Sequence, residues 1–156
     1  MAAIALIFAA PAMAQDHGGY DPDILWSCLD VRADTPDACI GIAAARCSDS
    51  STAGMVSCLS AETDQWDNML NDAYQVAMAE SEAADAEAKA LGMTTPETAP
   101  LLRDAQRAWM AWRDATCAYA GAVYQGGTAA APAVQNCVMD MTARQALAMR
   151  GQGPAE

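Results

Sequence analysis

The chain has 156 residues, 20 acidic against 8 basic, a formal net charge of −12 and a single histidine. That length supports one domain with a single modest core. The charge excludes nucleic acid as a partner, since phosphate binding needs a cationic surface; it favours a cationic partner, or else simple solubility.

The amino end reads "MAAIALIFAAPAMAQD", an apolar run closing on Ala12-Met13-Ala14, the small-x-small pattern that signal peptidase accepts. Residues 1–14 are expected to be a secretory signal. No later apolar run approaches the ~20 residues of a membrane helix, so no stable membrane insertion is expected. Cleavage after Ala14 would place Gln15, Asp16 and His17 at the mature terminus. The free amine, two backbone nitrogens and the imidazole then form a square-planar nitrogen set suited to Cu(II) or Ni(II). Residues 15–21 and 151–156 read as disordered tails.

From Pro22 onward apolar residues recur at helical spacing and nothing alternates at period two for long. This predicts an all-α domain over residues 22–150, a small disulfide-linked antiparallel helical bundle. Its helical segments run from Pro22 to Ala33, Pro36 to Cys47, Thr52 to Leu91, Ala99 to Gln125 and Ala131 to Met149. The separators "ADTP", "SDSST", "GMTTPET" and "GGT" carry turn and cap chemistry. The second half of the third segment, "AESEAADAEAKALG", has lost its large apolar residues and is expected to fray or bend.

Six cysteines, at 28, 39, 47, 58, 117 and 137, form an even set that reads as a disulfide framework in an exported protein. No C-x-x-C pair occurs and His17 is the lone histidine, which removes the usual zinc ligand sets. In an antiparallel hairpin, residues equidistant from the turn face each other. This pairs Cys117 with Cys137 about Gly126-Gly127, Cys28 with Cys39 about "ADTP", and Cys47 with Cys58 about "SDSST". A Cys39–Cys47 bridge is disfavoured, because eight residues of one helix span ~12 Å against a ~7 Å Cα limit. A pairing that crosses the four N-terminal cysteines stays open, since spacing alone does not fix connectivity.

The segment "QRAWMAWRDATC", Gln106 to Cys117, is the most crowded in chemistry. At 100° per residue Leu102, Gln106, Trp109, Arg113, Cys117, Ala120 and Tyr124 share an inward stripe, with Trp112 and Thr116 on its shoulder. Trp109 and Trp112 are expected to be core anchors, and Arg103, Asp104, Arg107, Ala111 and Asp114 solvated. Arg113 on an apolar stripe needs a carboxylate or a hydrated head. Glu62 and Glu80 lie on the inward stripe of the preceding helix with Met55, Leu59, Trp66, Met69, Ala73 and Val76, and the level of the turn favours an Arg113–Glu80 ion pair. The ten methionines, Met139, Met141 and Met149 among them, read as core filler before they read as an adaptable surface.

The pattern W-D-x-x-L-N-x-x-Y, as Trp66, Asp67, Leu70, Asn71 and Tyr74, precedes Q-R-A-W-x-x-x-R-D-x-x-C, as Gln106, Arg107, Ala108, Trp109, Arg113, Asp114 and Cys117. With "GGT" at 126–128 and "NCVMDMTARQALAM" at 136–149, this order resembles the lysozyme-inhibitor LprI N-terminal-domain-like family of exported bacterial proteins over residues 55–149. The resemblance implies a small disulfide-linked helical domain of the periplasm or the secreted fraction. It also implies a non-enzymatic binding function, with lysozyme or another cationic wall-acting protein as the partner. Asp64, Asp67 and Asp114 are the candidate contacts if their faces point outward together. A structural envelope module and the Cu(II)/Ni(II) terminus are the competing readings. Catalysis is not expected: there is no G-x-S-x-G elbow, H-E-x-x-H helix or phosphate-binding glycine loop, and no cofactor is called for. Paired carboxylates for glycoside chemistry are the one residual possibility among twenty acidic residues.

Overall fold

A computed structural model describes residues 19–47 and 50–151. The signal, the Gln15-Asp16-His17 terminus and residues 152–156 lie outside the described residues. Five α-helices follow one another: α1 (Pro22–Val31), α2 (Ile42–Arg46), α3 (Thr52–Ala90), α4 (Thr98–Ala122) and α5 (Ala130–Arg150). A 3₁₀ turn, Pro36–Cys39, lies between α1 and α2, and no strand occurs among the described residues. The fold is all-α and disulfide-linked, as the helical periodicity predicts.

The longest helix, α3, is the spine. At 39 residues it extends ~58 Å. It packs mainly against α5, which runs parallel to it, while α4 returns antiparallel and closes on both. Leu25, Cys39, Ala43, Trp66, Leu70, Met139, Ala143 and Ala146 form the core where α1 and α2 meet α3 and α5. Met139 and Met149 are buried there as core filler.

The segment expected as one helix from Pro36 to Cys47 is divided at Gly41, which adopts φ 83°. That left-handed conformation suits glycine, and it turns the chain out of the 3₁₀ turn and into α2. The "AESEAADAEAKALG" stretch does not fray: α3 continues unbroken to Ala90. Its alanines, glutamates and lysine are strong helix formers, and the start of α4 packs along it. Tyr20 and Asp21, assigned to the tail from sequence, are tied down. The Tyr20 hydroxyl donates to Gln65 Oε1 at 2.5 Å, and Asp21 caps α1 by accepting the Asp23 amide.

All six cysteines are paired, Cys28–Cys39, Cys47–Cys58 and Cys117–Cys137, with Cα separations of 5.7, 5.8 and 5.4 Å. The crossed N-terminal alternative is thereby excluded. Met141 Sδ rests 3.7 Å from Cys117 Sγ and 3.8 Å from Cys137 Sγ, a packing contact against the oxidised bridge.

Candidate functional site

The family-like residues divide into those that hold helices together and those that reach solvent. Trp66 and Glu62 are fully buried. The Glu62 carboxylate accepts three hydrogen bonds: Gly41 N–H at 2.6 Å, Ala44 N–H at 2.7 Å and Trp66 Nε1–H at 3.0 Å. Gly41 is the N-cap of α2 and has no side chain with which to cap it. The Gly41 and Ala44 amides at the start of α2 are therefore satisfied by a carboxylate lent from α3, at the end where helix polarity favours negative charge.

The same device recurs at the far end of the spine. The N-cap of α4, Glu97, makes no side-chain capping bond. Asp85 on α3 takes its place, accepting Thr98 N–H at 2.7 Å and Ala99 N–H at 2.9 Å. These backbone hydrogen bonds hold the Asp85 carboxyl below its ordinary range.

Arg113 lies on the inward face of α4, but its partners are not those expected. It bonds to its neighbour Asp114 at 2.9 Å and to Thr142 Oγ1 on α5 at 3.3 Å, and its guanidinium stacks 5.2 Å from the Trp109 ring centre. Glu80 is exposed and Glu62 is engaged with α2, so neither pairs with Arg113. The next turns of the same face add Gln106, which accepts from Gln145 of α5 at 3.2 Å. The "QRAWMAWRDATC" helix is thus fastened to α5 by a graded set of contacts, polar at Gln106 and Arg113 and covalent at Cys117.

Trp112 is the correction to this picture. It is 61% exposed, so only Trp109 of the two tryptophans packs against the core. Tyr124 is also exposed, beyond the end of α4. On α3, Met55 and Val76 are exposed although the helical wheel places them inward; each lines an open groove rather than a closed helix interface.

The proposed contact carboxylates lie on two helices. Asp64 and Asp67 are one turn apart on α3, where Asp67 accepts from Asn71 Nδ2 at 2.9 Å, whereas Asp114 sits on α4 and is taken up by Arg113. Of the remaining motif residues, Leu70 is buried, Tyr74 packs on the core, and Arg107 is exposed beside Asp104.

A concave surface with mixed chemistry lies elsewhere. A groove of about 410 Å³ opens between α1, α3 and the end of α5. Trp26, Val76, Met69 and Met149 form its apolar walls; Asp72, Glu80 and Arg150 supply its polar groups. Trp26 is 45% exposed, a large aromatic left on view. A cation entering here would meet an indole face and two carboxylates, offset by one guanidinium. Trp26 escapes a sequence reading because α1 has apolar residues around most of its circumference, and a ten-residue helix cannot bury all of them.

The family model described as lysozyme inhibitor LprI matches residues 43–149. An uncharacterized protein of Rhizobium meliloti (strain 1021) is 30% identical over 79 residues, covering 51% of this chain and 57% of that protein. The chain therefore spans little more than half the length of that relative. No solved structure matches.

Proposed function

The chain belongs to the lysozyme inhibitor LprI family, and from that premise we propose that it is a non-enzymatic, exported binding protein that captures lysozyme or another cationic wall-acting protein. Removal of residues 1–14 would deliver it to the periplasm or beyond.

One observation carries the reading: an apolar groove walled by Trp26 and flanked by Asp72 and Glu80, on a chain of net charge −12. A lysine or arginine of the partner would lay its aliphatic stem on Met69, Val76 and Met149 and its charged head near the carboxylates and the indole. Long-range attraction brings the partners together but is screened over ~8 Å at physiological salt, so the groove supplies the short-range specificity.

The direct test is lysis of cell walls by lysozyme in the presence of the purified, oxidised protein. The expected result is slower lysis, with inhibition weakened by Asp72→Lys and by Glu80→Lys. Lysis unchanged at a large molar excess removes lysozyme as the partner. Inhibition by Trp26→Ala as strong as that of the natural chain removes the groove as the contact.

A further inference from the structure

The groove assigned above to a cation has two acidic ends. Asp72 and Glu80 both line it from α3, and eight residues of helix separate them by ~12 Å. α1 lies toward the Asp72 end. The Tyr20 hydroxyl and the Pro22 carbonyl are both hydrogen-bonded to Gln65, and Trp26 follows Pro22 by one helical turn, ~6 Å. Along α3, Asp72 is ~10 Å and Glu80 ~22 Å beyond Gln65, so the indole stands nearer Asp72.

The Glu80 end holds a cation of the chain's own. Arg150, the last residue of α5, lines the same groove. Counted in step from the Gln135–Thr63 hydrogen bond along these two parallel helices, Arg150 comes about level with Met78, within one turn of Glu80. Buried Met149 seats that last turn, and the carboxyl end of a helix favours positive charge. Arg150, Asp72 and Glu80 are all exposed, and among the described residues none of them is in an ion pair. The groove therefore presents two negative charges and one positive to whatever enters it.

We infer that Arg150 makes the groove selective for one basic side chain and against two in line; the inference rests on the groove being the cation site. A lysine or arginine takes the Trp26–Asp72 end, where it meets an indole face and a carboxylate with no cation beside it. A second basic side chain, arriving at the Glu80 end, would lie beside a guanidinium already there, and the juxtaposition of like charges weakens binding. One incoming charge leaves the groove neutral; a second leaves it positive. The segment that fits thus carries a single basic residue, with a neutral or acidic residue ~12 Å further along. Strongly basic segments, toward which a net charge of −12 draws the chain without discrimination, are refused at this contact.

Peptide titration of the oxidised chain tests the inference, with the magnetic resonance signal of the Trp26 indole N–H, identified by its loss in Trp26→Phe, as the readout. The probes are two blocked glycine–serine peptides, one with a single lysine and one with two lysines about 12 Å apart in the extended chain. The natural chain is expected to bind the two within about threefold of each other. Arg150→Gln should bind the two-lysine peptide at least about fivefold more tightly and the one-lysine peptide within about twofold of the natural chain. Adding Glu80→Gln should abolish that gain, and Arg150→Lys, which keeps the charge, should show none. A gain shared equally by both peptides, no gain at all, or an indole signal that neither peptide moves overturns the inference. Discrimination between the peptides by a chain that fails to slow lysis keeps this role for Arg150 and removes lysozyme as the partner. Slowed lysis with an unmoved indole removes the groove, and the role of Arg150 with it.

Discussion

The Glu62 carboxylate of α3 accepts the Ala44 amide of α2 at 2.7 Å. With Gly41 N–H and Trp66 Nε1–H as its other partners, it is a fully buried acid on which three donors converge. Asp85 performs the equivalent task for α4 at the other end of the same helix. The spine thus lends a carboxylate to each of two helices whose own N-cap residues make no capping bond.

Glu62→Ala is expected to destabilise the fold by about 3 kcal/mol or more, because it strands two backbone amides and an indole N–H in the interior at about 1–3 kcal/mol each. Glu62→Gln is expected to be milder but still costly, since one amide hydrogen then points at a donor. Chemical denaturation of the oxidised protein measures both. Equal stability of Glu62→Ala and the natural chain would show that α2 is held by its flanking disulfides alone.

The Asp85 cap makes a prediction about pH. Its folded pKa is depressed, so its contribution is present above the ordinary unfolded carboxylate range and is lost as pH falls through the lower folded value. The stability gap between the natural chain and Asp85→Asn should be open at neutral pH and close in acid, because a protonated Asp85 resembles asparagine. A gap that stays constant from neutral to strongly acidic solution contradicts the cap.

Arg113→Met is expected to lower the stability by about 1–2 kcal/mol through loss of the Trp109 stacking and the Thr142 bond. Glu80→Gln should leave the melting temperature unchanged, because Glu80 is exposed and the guanidinium is engaged elsewhere. A cost for Glu80→Gln matching that of Arg113→Met would restore the ion pair that the helical wheel suggests.

What the sequence discloses follows from locality. The three disulfides are legible because each closes a turn, and equidistance from a turn is a property of short chain segments. The inward placement of Trp66, Trp109 and Cys117 is legible because helical period alone sets which face a residue occupies. The Glu62 cap is not, since it depends on where α2 docks, and nothing in residues 41–44 advertises a distant acceptor. Trp112 is misplaced for a related reason: a shoulder position on the wheel becomes core or surface according to how closely the next helix approaches. The Trp26 groove lies among three elements far apart in sequence, so no local pattern marks it.

Gly121 lies against the first turns of α5, one turn beyond Cys117. It is buried, and a Cβ there would collide with Val134 Cγ2. Valine is stiff at χ1 and sits on a helix, so the clash must be relieved by moving a helix rather than by a rotamer change. Gly121→Ala is expected to cost about 1–3 kcal/mol, the range for overpacking, despite the higher helix propensity of alanine. Adding Val134→Ala should recover a large part of that loss, because it removes the colliding methyl. A denaturation series on the two single variants and the double variant settles it: if the changes simply add, the collision is absent and the α4–α5 packing tolerates a side chain at position 121.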